Sequence, residues 1–180
     1  LKDTGIRLVD IHLASREYAE AVDWARRIDN GAPQLHFWST VIMAHTAAQF
    51  EVDDPDVPSL EEASRLIEER LESAPTDDGV RSLLASNLAL RGQFDAAVRE
   101  ARLAVDLAAK DAFSGPERLE NLAEIYTRAG RHDEAIDILE RLLNTVYEGP
   151  ITRESLRLFP VHDPLRDNPR FRALVSGGDS

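Results

Sequence analysis

Two heptapeptides in this chain repeat each other. Gly92-Gln93-Phe94-Asp95-Ala96-Ala97-Val98 and Gly130-Arg131-His132-Asp133-Glu134-Ala135-Ile136 both read glycine, any residue, aromatic, aspartate, any residue, alanine, aliphatic, and they begin 38 residues apart. Arg16-Glu17-Tyr18-Ala19-Glu20-Ala21-Val22 keeps the aromatic and the alanine without the glycine, and Pro58-Ser59-Leu60-Glu61-Glu62-Ala63-Ser64 is a weaker copy. A unit recurring every 34 to 40 residues or so is too short to bury an apolar face alone, so copies must stack on one another.

Each unit is helical. Phe94, Ala97, Val98, Ala101 and Val105 form one stripe, Leu119, Leu122, Ala123 and Tyr126 a second, and Ala135, Ile136, Leu139, Leu142 and Leu143 a third. Spacings of three and four put each set on one face of an α-helix. No alternating strand segment and no Asn-Gly or Asp-Gly hairpin turn stands out, so the expectation is an all-α chain with helices over about 3–14, 17–29, 33–49, 59–73, 78–91, 94–109, 116–129, 132–146, 152–159 and 169–175. Ser59-Leu60-Glu61-Glu62 reads as a capping box. Gly115-Pro116, Asp163-Pro164 and Asn168-Pro169 each put proline at a first helical position. Gly92 and Gly130 sit where one helix ends tightly and the next begins.

These residues resemble the tetratricopeptide repeat. Leu84-Ala85, Leu88, Gly92, Phe94, Ala97, Ala101 and Ala104 match one copy, and Leu122-Ala123, Tyr126, Gly130, Ala135, Leu139 and Leu142 match the next. Leu8, His12, Tyr18, Ala21, Ala25 and Ile28 match a first copy. Trp38, Val41, His45, Ala63, Ile67 and Pro75 match a second if about nine residues are inserted at 50–58. The resemblance implies a right-handed α-α superhelix of about four helical hairpins with a concave inner surface. It covers an array over 1–149, with copies near 2–30, 33–76, 78–111 and 116–149, followed by a capping segment and tail over 150–180.

The stretch 151–175 carries Leu156, Leu158, Phe159, Leu165, Phe171, Leu174 and Val175, too many apolar residues for a free tail. It should dock over the exposed end of the last repeat. Its Asp163-Pro164-Leu165-Arg166-Asp167-Asn168-Pro169-Arg170-Phe171-Arg172-Ala173-Leu174 is similar to the segment closing tetratricopeptide arrays in bacterial multi-domain signalling proteins, such as adenylate cyclases, Ser/Thr kinases and winged-helix regulators. Residues 176–180 read as a disordered polar end. Leu1 is not a start methionine and 1–9 has no basic leader, so a piece of a longer protein is expected.

Composition removes several functional classes. Zero cysteines exclude a disulfide framework, a zinc finger and a thiol nucleophile. Asp+Glu 33 against Lys+Arg 21 gives a net charge of -12, which argues against nucleic acid and against an anionic membrane surface. No apolar run reaches the roughly 20 residues that span a bilayer. His12, His36, His45, His132 and His162 form no metal-binding pair, and His12 and His45 read as core histidines. The loop 50–58 holds Glu51, Asp53, Asp54 and Asp56; calcium is the sharper reading, but the spacing lacks the glycine and distal glutamate of an EF-hand, which favours a solvated loop. No phosphate-binding glycine loop or nucleophile elbow occurs, so neither a catalytic site nor a cofactor is expected.

What remains is a surface. By the resemblance, the inner face is lined by Asp3, Arg7 and Asp10 in copy one, His36, Ser39, Thr40 and Met43 in copy two, Ser82 and Ser86 in copy three, and Glu120, Asn121, Glu124 and Arg128 in copy four. Ile6 and Asp10 stand where a chaperone-binding carboxylate clamp would need Lys and Asn. The lining is mixed and net acidic, which suits a protein or peptide partner with basic residues, or the effector domain of the same full-length chain. The alternatives are a solvated face, a groove filled by the chain's own tail, and a module for self-association. A cytoplasmic location is expected, with the periplasmic side of a membrane-anchored parent as the alternative.

Overall fold

A computed structural model describes residues 2–145 and 151–177, with side chains from Thr4 onward. The described residues are helical and contain no strand. The chain divides into two compact units, Leu1–Glu72 and Ser73–Ser180. The side chain of Asp3, the expected end of the eighth helix at Val146, the array boundary at 149–150 and the tail 178–180 lie outside the described residues.

The first unit holds α1 (Lys2–Ala14), α2 (Tyr18–Arg26), α3 (Pro33–Phe50) and α4 (Leu60–Ser73). Val9, Ala21, Val22, Ala25, Met43 and Ala47 form its core, with Leu13, Trp24, Ile42, Val52 and Val57 packed against it. The Tyr18 and Phe50 rings stack 4.3 Å apart at 5°, joining the start of α2 to the end of α3. The loop after α3 is tied to α2 by Arg26, whose Nη2 donates to Asp54 Oδ2 at 2.6 Å. The Arg70 guanidinium of α4 lies 5.3 Å over the Phe37 ring of α3. Ser59 accepts from the Glu62 N–H at 3.1 Å, the hydroxyl half of the expected capping box.

The second unit holds α5 (Asp78–Leu90), α6 (Phe94–Ala108), α7 (Ser114–Arg128), α8 (His132–Leu143), α9 (Arg153–Leu158), a 3-10 helix (Pro160–Leu165) and α10 (Pro169–Ser176). α5 pairs with α6 and α7 with α8, and α7 also lies against α5 and α6. Ala97, Ala101, Ala104, Ala135 and Ala85 are fully covered. Small side chains let these helices approach closely, while Leu122, Tyr126, Ile136, Leu139 and Leu142 fill the space beyond them. Phe94 ends 37% exposed, because it opens α6 beside the turn and only part of its ring is covered.

The four hairpin turns share one backbone solution. Arg16, Glu51, Gly92 and Gly130 all adopt positive φ, at 61°, 55°, 74° and 74°. The next residue in each case donates its N–H to the carbonyl five back: Glu17 to His12 at 2.8 Å, Val52 to Ala47 at 3.0 Å, Gln93 to Leu88 at 2.9 Å and Arg131 to Tyr126 at 2.8 Å. This satisfies carbonyls that the helix end would leave unpaired. Arg16 thus performs what glycine performs in the later copies. Glu51 does the same before the inserted loop.

The closing segment is docked. Ile151, Leu156, Leu165 and Phe171 belong to the same core as Leu122, Leu139 and Leu142. Arg170 of α10 reaches Asp137 at 2.7 Å and Glu140 at 3.2 Å on α8. Arg153 donates to the Leu174 carbonyl at 3.1 Å and Arg157 to the Val175 carbonyl, placing cations at the C-terminal end of α10.

Two expected helix starts differ. α7 begins at Ser114, because Asp111 Oδ1 accepts the N–H groups of Phe113 at 2.8 Å and Ser114 at 3.0 Å, and those bonds hold its carboxyl below the usual carboxylate range. Gly115 is therefore already inside the helix. Pro164 does not open a helix but lies within the 3-10 helix begun by Pro160. Asn168 does cap α10, accepting from the Arg170 N–H at 2.9 Å, with Pro169 next.

Candidate functional site

Counting back from the left-handed residue sets a common register for the four first helices. Seven residues before it stand Val9, Ala44, Ala85 and Ala123, all buried. Six before it stand Asp10, His45, Ser86 and Glu124, on the adjoining side of each helix. For copies one, three and four this is the register read from the sequence. For copy two it is shifted by two residues, so Ala47 takes the slot expected for His45. α3 buries Phe37, Ser39, Thr40, Val41, Met43, Ala44, Thr46 and Ala47, which together run around most of its circumference. A helix covered on nearly all sides has no single stripe, and only its cap at Glu51 fixes the register.

The candidate lining is accordingly narrower than the sequence implies. Ser39, Thr40 and Met43 in copy two and Ser82 in copy three are buried and present no surface. Trp38 and His45, both half-buried, take the copy-two slots assigned to His36 and Met43. His36 itself is exposed, with Nδ1 2.8 Å from Asp29 Oδ2. Arg7 and Asp10 are exposed on α1, and desolvation pushes the Asp10 carboxyl upward. The signal missed in copy two was the turn at Glu51, which carries no glycine to mark it.

In the second unit α5 and α7 bring the remaining candidates together. Asn121 Nδ2 donates to Ser86 Oγ at 2.8 Å, and Arg118 Nε donates to Asp78 Oδ2 at 2.9 Å, so two polar links cross between the helices. Ser82 Oγ and Asn121 Oδ1 are buried without a hydrogen-bond partner among the described residues. Glu120, Glu124 and Arg128 follow one another at four-residue steps along one face of α7, all half-buried. Burial lowers the Arg128 guanidinium below the ordinary arginine value, and Glu124 offsets only part of that.

The histidines separate by environment. His12 Nδ1 lies 2.7 Å from Glu17 Oε2, so the ring is held at the first turn. His162 is buried in the closing segment, its ring centroid 6.2 Å from that of Phe171. Desolvation, helped by nearby Arg166, pushes it down to about 4. Asp54 of the acidic loop accepts from Arg26 and from the Asp56 N–H at 2.9 Å. Among the described residues no group of three His, Asp or Glu side chains is placed to hold a metal ion. Among them, too, no helix is long and apolar enough to cross a membrane.

The family model of the tetratricopeptide repeat matches residues 119–151, the stretch holding most of α7, the Gly130 turn and α8. No curated protein and no solved structure matches the chain. Its described residues form an all-α fold of consecutive hairpins like that of tetratricopeptide repeats, which generally mediate protein–protein interaction.

Proposed function

We propose that the chain is a non-catalytic interaction module, the C-terminal regulatory or scaffolding part of a larger bacterial signalling protein. It binds a protein partner, or the effector domain of its own parent, through the inner faces of its first helices. The observation that supports this reading is the α5–α7 face, where Ser86, Asn121, Glu120, Glu124 and Arg128 gather on two helices held in register by Asp78–Arg118. Two carboxylates against one guanidinium favour a partner segment that is basic overall. The test is selection of peptides from a displayed library on the purified chain, followed by the paired change Glu120→Arg and Glu124→Arg. Basic sequences should emerge, bind the variant more weakly, and lose the salt dependence of their on-rate. Unchanged affinity would remove the electrostatic basis of the proposal.

Self-association is a second reading, favoured by one observation. Leu103, Leu107 and Phe113 stay 39%, 40% and 71% exposed on α6 and the turn after it. A monomer by light scattering at high concentration would end that reading.

A further inference from the structure

The turn between α2 and α3 carries a reactive pair, Asn30-Gly31, set between Asp29 and Ala32. Asn30, Gly31 and Ala32 are all exposed. Two hydrogen bonds organise the turn. The Gly31 N–H donates to Asp29 Oδ1 at 2.8 Å, and the Ala32 N–H donates to Asn30 Oδ1 at 3.2 Å. No backbone–backbone hydrogen bond reaches Asn30 or Gly31 among the described residues. Gly31 stands at φ 87°, and no atom lies within 4 Å of the place a Cβ would take on it.

We infer that Asn30 is a self-modification site, where the Gly31 amide nitrogen attacks the Asn30 side-chain carbonyl and the asparagine becomes aspartate and isoaspartate. The Gly31 nitrogen bonds to Asn30 Cγ as its proton leaves along the hydrogen bond to Asp29. The Cγ–Nδ2 bond breaks, Nδ2 departs as ammonia with a proton, and a five-membered cyclic imide remains. Water then opens the imide. Opening at Cγ gives aspartate, and opening at the Asn30 main-chain carbonyl gives isoaspartate. Asparagine and water are consumed and ammonia is released, with nothing oxidised or reduced.

Three features favour the attack. Glycine puts no side chain beside the nucleophilic nitrogen. The Ala32 N–H polarises the carbonyl oxygen on which negative charge develops. The bonds from Gly31 and His36 hold the Asp29 carboxyl below the usual carboxylate range, so the proton acceptor is charged at neutral pH. Of the chain's five asparagines, only Asn30 combines them. Asn87 is buried within α5. Asn121 lies inside α7 before Leu122 and donates to Ser86. Asn144 precedes Thr145 and donates to the Glu140 carbonyl at 2.8 Å. Asn168 precedes Pro169, whose nitrogen has no proton to give up. The product places a new carboxylate just before α3, whose N-cap Ala32 makes no side-chain cap and whose first turn holds no acidic residue.

The test incubates the full chain at neutral pH and body temperature. Mass spectrometry follows the proteolytic fragment that contains Asn30, and methylation by an isoaspartyl methyltransferase reads isoaspartate. Exchange of –NH2 for –OH should accumulate at Asn30 ahead of the other four asparagines, with both isomers present. Gly31→Ala crowds the nitrogen and Asn30→Gln enlarges the ring, so each should slow the reaction about tenfold or more. Asn30→Gln leaves Gly31 and its backbone untouched, which keeps the test valid if Gly31→Ala disturbs the turn. Asp29→Ser should slow the reaction by a smaller factor, and a rate at or above the parent's would overturn its part as proton acceptor. A synthetic peptide spanning 26–36 supplies the same pair without the fold. A chain that stays unmodified while this peptide reacts would overturn the inference. Aspartate without isoaspartate would overturn the cyclic route, because direct hydrolysis gives aspartate alone.

Discussion

Arg16 and Gly92 hold the same left-handed backbone conformation at equivalent turns, with φ of 61° and 74°, and the residue after each closes onto the carbonyl five back. A side chain with a Cβ is strained there and glycine is not. Arg16→Gly should therefore stabilise the first unit by about 0.5–1 kcal/mol, the relief of strain exceeding the added freedom of the unfolded chain. Gly130→Ala should do the opposite by a similar amount. Urea midpoints of the two variants check both signs; a destabilising Arg16→Gly would mean that its side-chain contacts outweigh the backbone strain.

The fully covered alanines set the distance between paired helices. Ala97→Leu or Ala135→Leu should overpack the hairpin and cost roughly 1–3 kcal/mol. Equal stability in denaturant would show that these positions do not lie at the helix contact.

Tyr126 links the two hairpins of the second unit. Its buried hydroxyl accepts from Arg102 Nη2 at 2.8 Å and Nε at 3.1 Å, and the Arg131 guanidinium lies 4.5 Å over its ring. Tyr126→Phe keeps the ring and removes the acceptor, which should cost about 1 kcal/mol because the exposed Arg102 recovers water. A melting temperature equal to the parent's would make the hydroxyl dispensable.

His162 gives the closing segment a pH dependence. Its pKa is about 4 in the folded chain against an ordinary 6.5, so the unfolded chain holds the extra proton between those values. Its contribution is full above pH 6.5 and is lost as pH falls toward 4, by about 3 kcal/mol at most. His162→Phe should flatten that part of the stability curve, measured as unfolding free energy at pH 7 and pH 4.5. An unchanged slope would assign the acid sensitivity to other groups.

Removing 151–177 should uncover Leu139 and Leu142, which share a core with Leu156, Leu165 and Phe171. The truncated chain is expected to aggregate, seen as scattering during gel filtration. A monodisperse truncate of equal stability would deny the segment a capping role.

The repeat was legible wherever chemistry marks it locally. Gly92 and Gly130 announce their turns because no other residue takes that conformation freely, and the alanines announce the helix contacts because only a small side chain fits. Copy two was legible only in outline. Its turn residue is Glu51, and α3 is covered around most of its girth, so nothing in the string distinguishes one register from another two residues away.

By itself the chain determined its helices, three of its four turns and the docking of its apolar end, since those follow from neighbours within a few residues or from the bare need to cover large side chains. Tertiary structure alone decided which candidate residues keep a surface. It buried Ser39, Thr40, Met43 and Ser82 and joined Asn121 to Ser86. Exposure and pairing depend on what lies across the helix from a residue, and that information is carried by distant segments rather than by the residue's own sequence neighbours.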